Sequence, residues 1–444
     1  MTGPRVRTTT VIAVALAMAL AGCGGGSTPD SPTHTGTDRP STTTKASSSL
    51  HPTKGTTTAT TARTATTKRS PSATPDETTT HRNTNGTEKV AIPVRGSGTL
   101  PFDVNRTYRR TMELLGNPAG VSPPSQIYLY RPATPWKPTV QDPFAQALLD
   151  ARRESNFTRE RHEGVVFGLT GNESPDVLRF TLVHEFVHNA QFERVDETPG
   201  MRAAFAGEHQ HRRVGAAVVE GSASYVAFQY MLRYTDRNRT WLRTATDEYP
   251  NASPAGKYVW APYHFGREYV AERVDAPSDH WRLYRNPPNT TEAIIHGLAP
   301  GSDPPALLSV SVETDQYEET ARETRGEMFA RIVLAAELPE ERAARAAAGW
   351  GNDRLVTLQR NDRRGFVWST RWDSAADAAE FLQSFRTAMD RRGERRDGYW
   401  LGDGIAIRVV RVAPETVAVA TGPPAFVKGI RVTGTNATVT VSSD

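Results

Sequence analysis

Two stretches of the chain have apolar residues at helical spacing. In the first, apolar side chains at positions 177, 180, 183 and 187 follow Ser174-Pro175-Asp176. That triplet supplies an N-cap residue, a proline at the first helical position and an acid in the first turn. The second is the largely apolar run 214–232. The pattern predicts two helices that pack side by side.

Shorter runs on either side of these helices mix strand and helix patterns. Strands are predicted at 125–131, 164–169, 355–359, 365–370, 405–412 and 417–421, and helices at 143–153 and 374–392, the last capped by Ser374. Residues 254–270 form a segment rich in aromatic side chains, and residues 317–348 have a helical pattern. The predicted class is therefore α+β. Strand 164–169 either edges a cleft, where it could pair with an extended peptide, or is an ordinary core strand.

The N-terminal region has a different composition. Arg5 and Arg7 precede an eleven-residue apolar run, 11–21, which is too short to span a bilayer and ends at Leu20-Ala21-Gly22-Cys23. We expect residues 1–22 to be a lipoprotein signal peptide and Cys23, the only cysteine, to carry a lipid that anchors the protein to the membrane. Residues 23–92, rich in Thr, Ser and Pro, should form a disordered stalk.

The charge distribution bears on the partners of the protein, and its Asn-x-Ser/Thr motifs bear on its location. The net charge of +4 comes from residues 1–92, which hold ten Lys and Arg against five Asp and Glu, whereas the remainder holds 43 against 44. The folded part therefore offers no basic face for nucleic acid. Eight of the fourteen asparagines lie in Asn-x-Ser/Thr motifs, more than chance would give, which favours a surface glycoprotein. Oligomeric state does not follow from the sequence.

His184-Glu185-Phe186-Val187-His188 is a complete HExxH motif inside the first predicted helix. Two histidines four residues apart lie on one helix face, so both imidazoles can bind one metal ion. Glu185 can take a proton from water without being a ligand. Apolar residues at both variable positions fit a helix inside a core. The motif predicts a Zn²⁺ site with catalytic chemistry.

A catalytic zinc site needs a third protein ligand. A histidine six residues after His188 is excluded, because that position is Arg194. His209, His211 and Glu220 remain. Glu220 lies within the second apolar helix, where a carboxylate is costly unless it is paired or binds metal. The two histidines lie in a polar segment that reads as a loop, so Glu220 is the favoured ligand, with Gly221 allowing close helix approach.

The combination of HExxH with Glu220-Gly221-Ser222-Ala223 is similar to the gluzincin arrangement of zinc metallopeptidases. Further segments resemble a group of zincin-like proteins among haloarchaeal-type surface lipoproteins: 181–191, 220–223, 263–270, 287–296, 349–353 and 370–374. The resemblance implies a zincin-like domain over 93–300, with an active-site helix and a glutamate helix, followed by a C-terminal α+β region over 301–444. That region is either separate or the lower lobe of the same unit.

The resemblance also implies the chemistry. Zinc held by His184, His188 and Glu220 would support hydrolysis of a peptide or protein substrate, with Glu185 as the general base. Tyr263, His264 and His296 are open choices for the second group that stabilises the oxyanion, and Tyr263 and His296 are favoured because they lie in resembling segments. Two alternatives stay open: a non-catalytic zinc-binding lipoprotein that recognises peptide or glycan, and an envelope scaffold.

Overall fold

Helices dominate residues 91–300 and strands dominate residues 301–444 of this protein, as seen in a computed structural model. The structure describes residues 91–130, 140–149, 165–168, 174–194, 199–402 and 404–444. The predicted α+β class is confirmed. The predicted signal peptide, Cys23 and all but two residues of the predicted stalk lie outside the described residues. In the described part, no helix is long and apolar enough to cross a membrane.

The described helices, in chain order, are α1 Val104–Leu114, α2 Pro143–Leu149, α3 Pro175–Glu193, α4 Pro199–Ala206, α5 His209–Tyr234, α6 Arg239–Thr246, α7 Pro254–Arg273, α8 Thr291–Ile295, α9 Glu327–Ala335, α10 Glu340–Ala347, α11 Ala375–Arg392 and α12 Pro424–Gly429. Short 3-10 helices cover Tyr249–Asn251 and Pro277–Tyr284. Both helices predicted around the motif are confirmed as α3 and α5, and Ser174 caps α3 through a hydrogen bond from the Val177 amide at 3.3 Å.

The described strands are β1 Val94–Gly96, β2 Ile127–Tyr130, β3 Val165–Gly168, β4 Ser309–Glu313, β5 Glu318–Glu323, β6 Trp350–Arg360, β7 Arg363–Trp372, β8 Arg395–Arg396, β9 Tyr399–Gly402, β10 Ile405–Ala413, β11 Thr416–Gly422, β12 Ile430–Gly434 and β13 Thr438–Ser443. They form a parallel sheet β1-β2-β3, a seven-stranded sheet β5-β6-β7-β11-β10-β9-β8 and a sheet β12-β13-β4. The helical pattern over 317–348 is wrong at its start, because 318–323 is the edge strand β5. Its charged side chains favour a helix locally, but pairing with β6 decides the conformation.

Helix α3 is a core helix rather than a surface helix. Thirteen of its nineteen residues are buried, on all sides, so an amphipathic stripe is absent from this helix. The buried set includes His184, Glu185 and His188, which are polar. Because buried polar groups are costly without partners, the packing around α3 must supply partners for them.

Helices α5 and α7 cross at a contact between glycines. A Cβ atom on Gly221 would lie 2.2 Å from the backbone carbon of Gly266, and one on Gly266 would lie 2.0 Å from the carbonyl oxygen of Ala217. Real atoms do not approach this closely, so both positions require glycine. The sequence led us to expect that Gly221 would let α5 approach α3, and the structure instead shows the contact to be with α7. This contact brings Tyr263 of α7 beside Glu220 of α5.

Residues from both predicted domain ranges share one hydrophobic core. Phe144 of α2 stacks on Phe329 of α9 with ring centroids 5.4 Å apart, and it meets Trp368 of β7 edge-on at 5.9 Å. Aromatic rings of this size supply much of the apolar surface that a core buries. One face of the seven-stranded sheet therefore packs against the helical part, and its other face forms a second core with α12 and the sheet β12-β13-β4.

Candidate metal centre

The two histidines of the motif lie on the same face of α3, as their spacing predicts. The ring centroids of His184 and His188 are 4.5 Å apart and the rings are nearly perpendicular, at 86°. Residues four apart on a helix are separated by about one turn, which places both Nε2 atoms near a common point. Both side chains are buried, at 7% and 4% exposure.

Glu220 of α5 completes the cluster. Its Oε2 atom lies 3.2 Å from Nε2 of His184 and 3.0 Å from Nε2 of His188. Within the described part of the chain, these three residues are the one His/Cys/Asp/Glu group whose ligand atoms all lie within 4.8 Å of each other. Ligands at about 2.0–2.2 Å from a tetrahedral zinc are about 3.3–3.6 Å apart. The observed spacings of 3.2 and 3.0 Å are slightly shorter, and two imidazoles with a carboxylate form a donor set that a divalent cation such as zinc can use.

Electrostatics in the cluster keep the carboxylate charged. Burial by itself would raise the pKa of Glu220, but the charge and hydrogen bonds of the two imidazoles lower that pKa to about 2. Burial and the neighbouring His188 lower the pKa of His184. Burial would likewise lower the pKa of His188, but Glu220 outweighs it and raises that pKa to about 9. Glu220 is thus an anionic ligand across the neutral range.

Gln191, one turn after His188, orients that histidine. The Nδ1–H group of His188 donates to Gln191 Oε1 at 2.6 Å. The amide nitrogen of Gln191 in turn donates to the carbonyl oxygen of Val219 at 3.0 Å and to the hydroxyl of Tyr284 at 2.7 Å. These two bonds fix which end of the amide faces His188. Gln191 therefore holds a proton on Nδ1, and Nε2, which faces Glu220, is the atom that would bind a metal in exchange for its own proton.

This hydrogen-bond chain continues away from the centre. Because the Tyr284 hydroxyl accepts from Gln191, its proton is available to Nδ1 of His280, 2.9 Å away. Burial and Arg194 lower the pKa of His280 to about 3, so that imidazole is neutral and can accept. On the other histidine, the hydroxyl of Ser224 lies 3.4 Å from Nδ1 of His184. The sequence analysis assigned no role to Gln191 or Tyr284. The one sequence feature that could have indicated this chain is the position of Gln191, three residues after His188 on the same helix.

Tyr263 of α7 lies beside the cluster. Its ring stacks on His184 with centroids 5.8 Å apart and an interplanar angle of 16°. Burial, followed by the carboxylates of Glu220 and Glu185, raises the pKa of Tyr263 well above its ordinary value. The hydroxyl therefore stays protonated and can donate a hydrogen bond. Glu185 itself is buried at 6% exposure and acts electrostatically on both Tyr263 and His188, so it belongs to the same pocket.

The two other residues considered for the oxyanion make contacts elsewhere. Nε2 of His296, whose side chain is 41% exposed, lies 2.8 Å from the buried carboxylate of Glu327. Nδ1 of His264 lies 2.9 Å from Asp247, and its ring stacks on Tyr249 at 4.7 Å. Of the three residues, the structure brings only Tyr263 into contact with a histidine of the cluster.

The histidines at 209 and 211 are not in a loop, as their polar surroundings suggested. Helix α5 begins at His209, whose ring packs against Tyr258 of α7 and Phe329 of α9. His209 is buried and its Nε2 atom lies 2.9 Å from the Tyr258 hydroxyl. Neither histidine joins the metal cluster. Of the predicted strand 164–169, residues 165–168 are described, and they pair in parallel with β2 at one edge of the small sheet.

Comparisons with known proteins identify one segment. Residues 314–431 match a family described as Domain of unknown function (DUF8575). That segment begins after α3, α5 and α7, the helices that carry the cluster. No curated protein and no solved structure matches the chain significantly.

Proposed function

We propose that this protein is a zinc-dependent peptidase with a zincin-like domain, held at the extracytoplasmic face of the membrane by a lipid on Cys23. The observation that carries the peptidase proposal is the convergence of His184, His188 and Glu220 within 4.8 Å, with Glu185 in the same buried pocket. A structural zinc site is usually closed by four protein ligands. Three ligands with an adjacent carboxylate that is not itself a ligand are the pattern of a hydrolytic site.

Each residue has a role that its surroundings support. When bound, zinc would act as a Lewis acid on the substrate carbonyl and lower the pKa of the attacking water. Glu185 accepts the proton of that water and then passes it to the amine nitrogen as the C–N bond breaks. The water oxygen becomes part of the new carboxylate. Tyr263, protonated and stacked on His184, donates a hydrogen bond to the oxyanion.

The proposed location depends on the N-terminal sequence. The short apolar run, the single Cys23 behind Leu20-Ala21-Gly22 and the Thr/Ser/Pro-rich segment that follows support export and lipid anchoring. The Asn-x-Ser/Thr motifs support a glycosylated surface protein in the same way. The partners proposed are therefore a peptide or protein substrate and the membrane, without nucleic acid.

The test compares two glutamate variants of the full chain. Glu185→Gln removes the base but no ligand, and Glu193→Gln changes an exposed glutamate of the same helix. Zinc content is measured by elemental analysis, and hydrolysis of a peptide library by mass spectrometry. We expect both variants to bind one zinc ion and Glu185→Gln to lose at least about 100-fold in kcat, the scale of general-base catalysis.

Two results would overturn the proposal. Protein that binds zinc but cleaves no member of the library, in either form, would be a zinc-binding surface protein that recognises peptide or glycan. Protein that binds no zinc would favour an envelope scaffold. If Glu193→Gln lost activity as severely as Glu185→Gln, the role assigned to Glu185 would also fail.

A further inference from the structure

Arg213 lies on α5, seven residues before Glu220. Seven residues are two helical turns, so both side chains lie on the same helix face, about 10 Å apart along the axis. Arg213 and Tyr263 are also close enough for the guanidinium charge to affect the tyrosine's pKa, after the larger effects of burial and of Glu220 and Glu185. Because Tyr263 stacks on His184, Arg213 stands at the same side of α5 as the metal centre.

The guanidinium of Arg213 is held in place, but its charge is not balanced by an ion pair. One nitrogen donates to the carbonyl oxygen of Tyr258 at 2.5 Å, and the group lies 4.7 Å above the ring of the same residue. In the described part of the chain no carboxylate lies within 4 Å of it. Its neighbour Arg212 is exposed and has a partner in Glu323, at 3.8 Å.

A guanidinium without an ion-pair partner can bind an anion. Arg213 is partly exposed, and burial is the main cause of its lowered pKa, opposed by the charges of Tyr258 and Asp142. A guanidinium has five N–H donors. The bond to Tyr258 and a 4.0 Å contact with Sδ of Met328 both use one terminal nitrogen, so the other two nitrogens have no acceptor in the described part of the chain. Their planar fork matches a carboxylate, which can accept two of them at once.

We propose that Arg213 binds the C-terminal carboxylate of the peptide, so that the enzyme removes residues from peptide C-termini. This inference rests on the proposed function. An extended peptide advances about 3.3–3.6 Å per residue. After about 3 Å for the charged hydrogen bond, the 10 Å offset spans about two residues beyond the scissile bond. The product is then a short fragment of one or two residues with a free carboxylate.

The experiment uses one N-acetylated tetrapeptide with a free C-terminal carboxylate and its C-terminal amide. Hydrolysis is measured with the zinc-loaded wild type, Arg213→Met, Arg213→Lys and the matched control Arg212→Met. Binding of both peptides to zinc-loaded Glu185→Gln, with and without Arg213→Met, is measured by calorimetry. Melting temperatures check that each variant folds.

We expect the wild type to prefer the free acid by roughly 10- to 100-fold in kcat/KM, the scale of a charged hydrogen bond. Arg213→Met should abolish that preference, Arg213→Lys should keep part of it, and Arg212→Met should retain all of it. The binding preference should follow the same order. The mass of the released fragment should correspond to one or two residues.

The outcomes separate the two proposals. Equal cleavage of acid and amide by the wild type overturns the carboxylate site and leaves the peptidase intact. A binding preference that depends on Arg213, without any hydrolysis, supports the carboxylate site and overturns the peptidase. If Arg213→Met melts as the wild type does and keeps the full preference, the role of Arg213 is wrong.

Discussion

The helical part and the seven-stranded sheet each bury a carboxylate, and the two carboxylates have opposite surroundings. Glu220 in α5 faces the Nε2 atoms of two imidazoles at 3.2 and 3.0 Å. Asp353 in β6 accepts from the amides of Arg325 and Gly326, both at 2.7 Å, and from the indole N–H of Trp350 at 2.9 Å. Amide and indole nitrogens can only donate, whereas an imidazole nitrogen can also bind a cation. The first site can exchange its partners for a metal, and the second is closed.

The surroundings also shift the two pKa values in opposite directions: that of Glu220 is lowered and that of Asp353 is raised. The imidazoles bring the pKa of Glu220 down to about 2 in spite of burial. Burial raises the pKa of Asp353 to about 6, because three uncharged donors compensate for it only in part. We therefore expect Asp353, whose partners are all neutral donors, to stabilise the fold. We expect Glu220, whose partners are titratable imidazoles, to bind metal. The predictions below test that distinction.

The largest effect is expected from Glu220→Ala. The variant loses one of three ligands and its negative charge, so we expect zinc affinity to fall by more than about 100-fold, beyond the range seen when an outer partner of a ligand is removed. Competition with a metal chelator measures the affinity. The exposed Glu193→Ala on α3 serves as the control and should bind zinc as the wild type does. Retention of zinc by Glu220→Ala would contradict the ligand assignment.

Asp353→Ala should have the opposite effect: it should lower the stability of the fold and leave zinc affinity unchanged. It leaves three buried donors without an acceptor, so we expect a loss of about 3–5 kcal/mol in the free energy of unfolding. Chemical denaturation of the metal-free protein measures this loss. Asp362→Ala, at the exposed β6–β7 turn, should change stability by less than about 0.5 kcal/mol. Loss of zinc binding by a folded Asp353→Ala variant would break the distinction between the two sites.

The pH dependence of stability provides a second measurement on Asp353. Its pKa is raised from 3.8 to about 6 on folding. Between about pH 4 and pH 6 the folded state therefore holds a proton that the unfolded state has released, so stability falls as the pH rises through this window. Relative to Asp353→Asn, the wild type should lose roughly 2 kcal/mol from pH 4 to pH 6. If the stability difference between the wild type and Asp353→Asn stayed constant or grew in favour of the wild type as the pH rises, the pKa of Asp353 would not be raised in the folded state.

The smallest effect is expected from Gln191→Ala, which touches the metal only through His188. The variant lacks the acceptor 2.6 Å from Nδ1 of His188, so no hydrogen bond fixes the tautomer or the ring orientation of that histidine. Zinc affinity should therefore fall about 10- to 100-fold. The same chelator competition measures it, with the exposed Gln383→Ala on α11 as the matched control. An unchanged zinc affinity in a folded Gln191→Ala variant would remove the orienting role.

Some of these features were accessible from the sequence because they are local. The spacing of His184 and His188 places both on one face of any helix, and Ser174-Pro175-Asp176 marks where that helix begins. The apolar run around Glu220 predicted a second buried helix, and α5 is that helix. A helix of the C-terminal region was also predictable, since the predicted helix 374–392 corresponds to α11 at Ala375–Arg392.

Other features were inaccessible because they depend on which surfaces meet. The sequence favoured Tyr263 and His296 over His264 but did not separate the first two. The contact between Gly221 and Gly266 sets the packing that brings Tyr263 to His184. The strand β5 reads as a helix until its partner β6 is known.

The sequence by itself determined the helix that carries the motif and the chemistry of its side chains. Those properties follow from the backbone repeat and from residue type, which act over a few neighbours. Only the tertiary structure decided that Glu220 and Tyr263 lie beside the two imidazoles. Their approach depends on helices 30 or more residues apart in sequence packing at a fixed distance and rotation, which no local pattern specifies.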